Sequence, residues 1–241
     1  MTSIRTENLF VHRGRAAIVR GLSFASEEPG WIGLIGANGS GKTTLLRALA
    51  GRLPAGPGRI LLDGADVTAD RAARATRIGF AVEGSFLPDD LTPLELFSIS
   101  AEAPRAWERT ELQPLGEALR IDSLLNVKCG KLSAGMAQRA AIFGAFLDLP
   151  PIVILDEPFN WLDPVTAYDV KVALLALVQS EGLILITSLH DMTTLTSYCT
   201  RAILLSAGRI ALALEAADLA RGQGDPPAFE AMIVERLRQE P

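Results

Sequence analysis

The chain has 241 residues, 49% of them apolar, and 23 Lys+Arg stand against 28 Asp+Glu for a formal charge of -5. That length fits one large domain, or one with an inserted lobe, and the apolar content excludes a disordered chain. The acidic balance argues against a general nucleic-acid binder, and the longest apolar runs, Ala140 to Leu147 and Ala173 to Val178, are too short to span a bilayer.

No internal repeat interrupts the sequence, and short apolar runs alternate with helical patterns as a parallel α/β sheet requires. A hairpin at His12-Arg13-Gly14 precedes a strand from Gly21 to Ala25. Trp31 to Ile35 reads as a buried strand that ends in a glycine-rich loop, and Thr43 to Ala50 continues as a helix. Gly58 to Leu62 and Ile78 to Val82 are further strands. Thr92, Pro93 and Glu95 then form a helix start, with an N-cap, a first-position proline and an acid three residues after the cap. From there to about Leu147 the apolar residues Leu112, Leu115, Leu119, Ile142 and Phe146 recur at helical spacing, which predicts an all-helical lobe inserted into the core. Strands resume at Ile152 to Leu155, Leu183 to Thr187, Ala202 to Leu205 and Arg209 to Leu212, with Asp163-Pro164 opening a helix between the first two. The tail from Glu215 holds a short helix, a breaker and an amphipathic helix from about Ala228 to Arg238. The N-terminus shows no secretory leader, and Cys129 and Cys199 lack metal-ligand spacing and suit a reduced compartment, so the expected location is cytosolic.

Gly36-Ala-Asn-Gly-Ser-Gly-Lys42-Thr43 fits GxxxxGK(S/T) after a strand and at the opening of a helix. Glycines there let backbone N–H groups turn inward on a polyphosphate, and the helix N-terminus adds its positive dipole end. Gly36, Asn38, Gly39, Ser40, Gly41, Lys42, Thr43 and Thr44 are the expected nucleotide cradle, with Lys42 on the β and γ phosphates and Thr43 on Mg²⁺. Ile152 to Leu155 delivers two carboxylates to a strand end: Asp156 fits a Mg²⁺ ligand, and Glu157, one step further, is placed to orient and deprotonate an attacking water.

Leu132-Ser133-Ala134-Gly135-Met136, followed by Gln138 and Arg139, resembles the signature motif of ABC-type ATPases, and the likeness extends over nearly the whole chain. The family pattern is LSGGQ; Ala134 and Met136 depart from it in a way that looks like the LSxGM form of some exporter ATPases. The resemblance implies a P-loop core with a mainly parallel sheet at about 31–56 and 148–214. It also implies an N-terminal antiparallel β subdomain at about 1–30 and 57–75, a helical lobe at about 84–147 and C-terminal helices at about 215–241. It further implies that Ser133 and Gly135 touch the γ-phosphate bound by an opposite subunit, so that two copies, or a copy and a paralogue, complete each site.

Asn160-Trp161-Leu162-Asp163 stands where the family has its D-loop, which makes Asp163 a nucleotide-site residue, and His190 stands at the expected switch histidine. Glu83 occupies the position of a Gln that reaches Mg²⁺ and reports to the permease; a carboxylate ligates Mg²⁺ as well, but adds negative charge beside a triphosphate. Arg13 takes the place of an aromatic that stacks on adenine, a role its guanidinium plane can fill, although an arginine in a hairpin is ordinarily just solvated. The apolar residues Phe86, Leu87, Leu91, Leu94, Leu96 and Phe97 divide between the lobe's core and a docking patch for a membrane subunit. The expected protein is thus a peripheral subunit that hydrolyses MgATP on the inner face of the membrane and drives a separate permease. The signature variant and Glu83 favour export, of the bacitracin-resistance type or, from Arg13-Gly14, the haem-exporter type. The alternative is a soluble ABC ATPase of DNA repair or chromosome maintenance, although no heptad run separates Lys42 from Ser133 as it would there.

Overall fold

The computed structural model of the protein describes residues 2–239. The chain runs β1 (Ile4–Arg13), β2 (Ala16–Ser26), β3 (Gly30–Ile35), α1 (Lys42–Leu49), β4 (Arg59–Leu62), β5 (Ala65–Asp66), α2 (Arg71–Arg77) and β6 (Ile78–Ala81). It continues through α3 (Pro93–Ser100), α4 (Gln113–Ala118), α5 (Ala134–Gly144), β7 (Ile152–Leu155), α6 (Pro164–Glu181), β8 (Ile184–Ser188) and α7 (Met192–Tyr198). It ends with β9 (Arg201–Ser206), β10 (Arg209–Leu214), α8 (Ala216–Gly224) and α9 (Pro226–Gln239).

Two sheets result. One is antiparallel, in the order β2-β1-β4-β5; the other has six strands in the order β10-β9-β3-β8-β7-β6, parallel throughout except where β10 turns back on β9. Side chains alternate across the larger sheet with the two-residue period of a strand. Trp31, Ile35, Val153, Leu155 and Leu185 enter one core with the lobe, α6 and the C-terminal helices, while Ile32, Leu34, Ile154 and Ile186 enter a second with α1 and the antiparallel sheet. Both faces are covered, which is why these strands read as unbroken apolar runs. The buried Trp31 indole donates to Thr187 Oγ1 at 2.7 Å, so its one polar atom is satisfied.

Thr92 forms the expected capping box, its hydroxyl accepting from the Glu95 N–H at 3.2 Å and Glu95 Oε2 accepting from the Thr92 N–H at 2.7 Å. Leu112, Leu115, Leu119, Ile142 and Phe146 are all buried. Between α3 and α5, however, the lobe is mostly short 3-10 turns, with α4 its one α-helical segment.

The β segment expected over 57–75 is strand only as far as Asp66. Asp70 caps α2 through its Oδ1, which accepts from the Ala73 N–H at 2.9 Å. This helix carries no apolar stripe because the residue it buries is Arg74, whose guanidinium donates to the carbonyls of Ala48, Val67 and Thr68. Burial and the neighbouring Arg71 lower the pKa of Arg74, and the carbonyls compensate for the water it has lost. The C-terminal helix expected from about Ala228 is contained in α9, and Glu240 and Pro241 lie outside the described residues. No helix among the described residues is long and apolar enough to cross a membrane.

Candidate nucleotide site

The loop from β3 to α1 is shaped by its glycines. A Cβ at Gly36 would lie 2.2 Å from the Leu205 carbonyl oxygen, and Gly41 holds a φ of 106° that L side chains avoid. Gly41 also caps α1 without a side-chain acceptor, and no acidic residue sits in the first turn, so the N–H groups and positive dipole end of α1 are open to an anion. Ser40 Oγ is, among the described residues, the buried side-chain polar atom that has no hydrogen-bond partner. Such a group is costly, about 1–3 kcal/mol, and a phosphate oxygen at the loop would satisfy it. Lys42, buried at 5% exposure, donates from Nζ to the carbonyls of Gly36 at 2.7 Å and Ala37 at 3.3 Å. Burial lowers its pKa, against the attraction of Glu157 and Asp156.

A cavity of about 400 Å³ above this loop is lined by Arg13, Ile18, Asn38, Lys42, Thr43 and Glu157. Arg13, the last residue of β1, thus shares a wall with the cradle. Beside it a second cavity, of about 260 Å³, brings together Thr43, Glu83, Gln138, Asp156, Glu157 and Trp161. The three expected metal ligands, Thr43, Asp156 and Glu83, line this one space. That donor set fits Mg²⁺, which takes one or two carboxylates and fills its remaining positions with water and phosphate oxygens. Glu83 is exposed, and its Oε1 accepts from Ser85 Oγ at 2.8 Å.

The two carboxylates after β7 are tied to β8 by one hydroxyl. Ser188 Oγ donates to Asp156 Oδ1 at 2.6 Å and accepts from the Glu157 N–H at 2.7 Å, possible because β7 and β8 are adjacent and parallel. Glu157 sits at a φ of 48°, turning its side chain away from the strand direction. Its Oε1 lies 2.8 Å from His190 Nε2, and its Oε2 accepts from Asn160 Nδ2 at 2.6 Å. Burial pushes the Glu157 carboxyl up, but the hydrogen bond and charge of His190, with Asn160 and Lys42, outweigh it and hold the group below the usual glutamate range. A carboxylate so held is ionised at neutral pH and able to orient a water, and is a weaker base than an ordinary glutamate.

Ser133 caps α5, its Oγ accepting from the Met136 N–H at 3.3 Å. A Cβ at Gly135 would lie 2.6 Å from the Trp161 carbonyl oxygen, so the signature turn and the segment after Glu157 are in close contact. Ser133, Gly135 and Asp163 share a separate cavity of about 280 Å³ that contains no residue of the P-loop. The structure therefore does not bring Ser133 and Gly135 to Lys42 within one chain. The Asp163 carboxylate caps α6, accepting from the N–H groups of Val165 and Thr166 and from Thr166 Oγ1.

Three residues brace this site in ways the sequence did not indicate: Ser188, which it did not single out, and Asn160 and Gln138, which it read only as parts of the D-loop and signature segments. Gln138 is buried, and its Oε1 accepts from the Gly84 N–H at 3.1 Å, immediately after Glu83. Each had a signal, since Ser188 follows Thr187 at the polar end of an otherwise apolar strand, Asn160 follows Glu157 by three residues, and Gln138 stands beside Arg139 on a helix of otherwise apolar or small residues.

The family model described as "ABC transporter" matches residues 19–160. Similar proteins include the uncharacterized ABC transporter ATP-binding protein YhcH of Bacillus subtilis, 29% identical, covering 82% of this chain and 65% of that protein. The phosphonates import ATP-binding protein PhnC 1 of Rhodopseudomonas palustris is 34% identical over 85% of this chain and 81% of its own. The Nod factor export ATP-binding protein I of Burkholderia orbicola is 32% identical over 81% of this chain and 65% of its own, so the chain spans under two thirds of YhcH and of the Nod factor protein. Among solved structures, an ATP-binding subunit of an ABC transporter has a TM-score of 0.83 at 24% identity, covering 96% of this chain and 99% of that one. A dimeric ATP-binding cassette in a post-hydrolysis state with ADP and Pi has a TM-score of 0.75 at 22% identity, covering 88% and 98%. The phosphate cradle, the braced carboxylate and the signature turn stand on the frame that these relatives share, and the chain belongs to the ABC transporter family as one of its ATP-binding, ATP-hydrolysing cassettes.

Proposed function

We propose that this cassette works as a dimer beneath a separate membrane permease, each copy's P-loop being completed by Ser133 and Gly135 of the other. The observation that carries this reading is the separation of the two half-sites: Lys42, Thr43, Asp156 and Glu157 converge on one pair of cavities, while Ser133 and Gly135 line another. In the assembled site Lys42 exchanges its carbonyl partners for phosphate oxygens, and Ser40 and the α1 N–H groups take the remaining charge. Glu157, steadied by His190 and Asn160, orients a water toward the γ-phosphorus and takes its proton, and His190 holds the γ-phosphate side of that water. Mg²⁺, when held by Thr43 and Asp156 with Glu83 at the rim, supplies charge neutralisation on the phosphates. Arg13 lies over the adenine face.

Nucleotide binding and hydrolysis test these roles separately. Lys42→Ala is expected to abolish binding of a fluorescent ATP analogue, and Glu157→Gln to keep binding while lowering kcat at least about 100-fold, a loss of the order ascribed to a general base. Normal turnover by Glu157→Gln overturns the assignment. Glu83→Gln is expected to change the Mg²⁺ concentration needed for half-maximal rate, and Arg13→Ala to raise the Kd for ATP.

The permease is proposed to dock in the groove of about 590 Å³ between lobe and core, where Val82 and Phe86 are exposed beside the buried Phe97. Export is the direction favoured by the signature variant and Glu83, with Arg13-Gly14 pointing to a second exporter type. The similar proteins are mainly import ATP-binding proteins, for phosphonates and for sulfate/thiosulfate, with the Nod factor protein an export one, so export draws no support from them and the direction is a property we assign to the permease. The DNA-repair alternative draws no support from these relatives.

A further inference from the structure

Four large apolar side chains stand exposed in series after the catalytic strand: Trp161, Val165, Tyr168 and Val172, at 60%, 63%, 61% and 45% exposure. Val165, Tyr168 and Val172 follow one another at intervals of three and four residues along α6, the spacing of a helix–helix seam. The opposite side of α6 is already committed to the core through Val170, Leu174 and Leu177. The helix is therefore apolar on two faces, and only one of them is covered in a single chain. A closing helix with solvent outside it would carry polar residues there.

The location of the stripe identifies its occupant. At its start the Trp161 backbone packs against Gly135, at the wall of the cavity formed by Ser133 and Asp163. Along its flank Lys171 pairs with Asp191 at 3.5 Å, next to His190. Both boundaries are elements that, on the dimer reading proposed above, face the second copy, so the stripe continues that interface. Its exposed rim carries Asp163, Asp169 and Glu181, a poor match for an anionic lipid surface.

We propose that this stripe is a two-fold seam in which Val165, Tyr168 and Val172 of one copy meet the same residues of the other. The inference rests on the dimer reading and adds to it a contact that no nucleotide makes. A two-fold contact is isologous, so one self-complementary patch serves both copies. An aromatic side chain buries about 150–250 Å² when fully covered, so one ring and two valines per copy give a seam of several hundred Å². That falls short of the roughly 1,200 Å² of a stable interface. The seam therefore reinforces the nucleotide-bound dimer and does not hold a permanent one.

Self-crosslinking of the full chain tests this. Cys129 and Cys199 are buried, so a cysteine at the seam supplies the reactive thiol. In a Glu157→Gln background with MgATP, Tyr168→Cys is expected to give a covalent dimer with a short bismaleimide, and Glu111→Cys on the exposed lobe surface is expected to give none. Val165→Ser with Tyr168→Ser is expected to weaken ATP-driven dimerisation at least about tenfold by sedimentation, with ATP binding to the monomer and the melting temperature unchanged. If the Glu157→Gln parent forms no ATP-dependent dimer, the dimer reading falls and the seam with it. If the parent dimerises but Tyr168→Cys does not crosslink to itself and the double variant dimerises normally, the seam alone is overturned and the stripe belongs to another partner.

Discussion

Replacing Ser188 by alanine removes a single oxygen that holds both carboxylates. The hydroxyl donates to Asp156 at 2.6 Å and receives the Glu157 N–H at 2.7 Å, and the residue is 1% exposed. Losing a hydrogen bond to a charged acceptor costs about 1.5–3 kcal/mol, and stranding a buried N–H costs about 1–3 kcal/mol. The two share one atom and partly relax together, so a net loss of about 2–4 kcal/mol is expected, a fall in Tm of roughly 4–16 °C for a chain of this size. The functional loss is expected to be larger. Glu157 keeps its φ of 48° against the cost of a left-handed non-glycine residue, about 1–3 kcal/mol, and the Ser188 contact is one of the restraints holding it there. Ser188→Ala should therefore lower kcat by about ten- to a hundredfold, because a base displaced by a fraction of an ångström loses alignment, while the Kd for ATP changes little. Stopped-time phosphate release, ATP titration and thermal unfolding on the same preparation give the three numbers. A Ser188→Ala protein with parental kcat and Tm would refute the bracing argument, and one with parental kcat but reduced Tm would confine Ser188 to stability.

Two further outcomes follow from contacts with no slack. Gly135→Ala places a methyl 2.6 Å from the Trp161 carbonyl oxygen, so the signature turn or the segment after Glu157 has to move. ATP binding by the monomer should be unchanged while ATP-driven dimerisation and turnover fall about tenfold or more, as read by sedimentation and phosphate release, and a fully active variant would disprove the close contact. Arg74→Met removes the guanidinium from the carbonyls of Ala48, Val67 and Thr68, of which Ala48 and Val67 keep a backbone donor in Gly51 and Asp70. Urea unfolding should show a loss of about 3 kcal/mol or more, and a loss under 0.5 kcal/mol would mean that water replaces the guanidinium.

The P-loop, the DE pair and the signature turn were legible because their chemistry is local. Glycines at required conformations, a lysine and a hydroxyl lie within a few residues, and the flanking strand and helix signal themselves by periodicity. The sheet was legible for a similar reason, since strands covered on both faces leave unbroken apolar runs such as Ile152 to Leu155. The helix α2 was not, because it contributes an arginine to the interior instead of an apolar stripe. Ser188 escaped notice, and Gln138 was legible only as part of the signature segment, because their partners, Glu157 and Gly84, are distant in sequence. The apolar residues from Phe86 to Phe97 could not be divided from the pattern alone: Phe86 is 66% exposed and Phe97 is 4% exposed, a difference set by α5 packing over one of them. The exposure of Tyr168 was hidden for the opposite reason, since an apolar residue in an apolar helix looks like core.

Lys42 holds the carbonyls of Gly36 and Ala37 through its Nζ. An incoming anion is therefore a competitor for an occupied ammonium. Any phosphate must displace those two carbonyl bonds and gains Ser40 Oγ and the N–H groups of α1 in return, and a longer phosphate chain reaches more of the loop's donors. The two carbonyl bonds of Lys42 are thus a fixed cost that every anion meets, and the number of phosphate groups engaged by the loop decides how far that cost is offset.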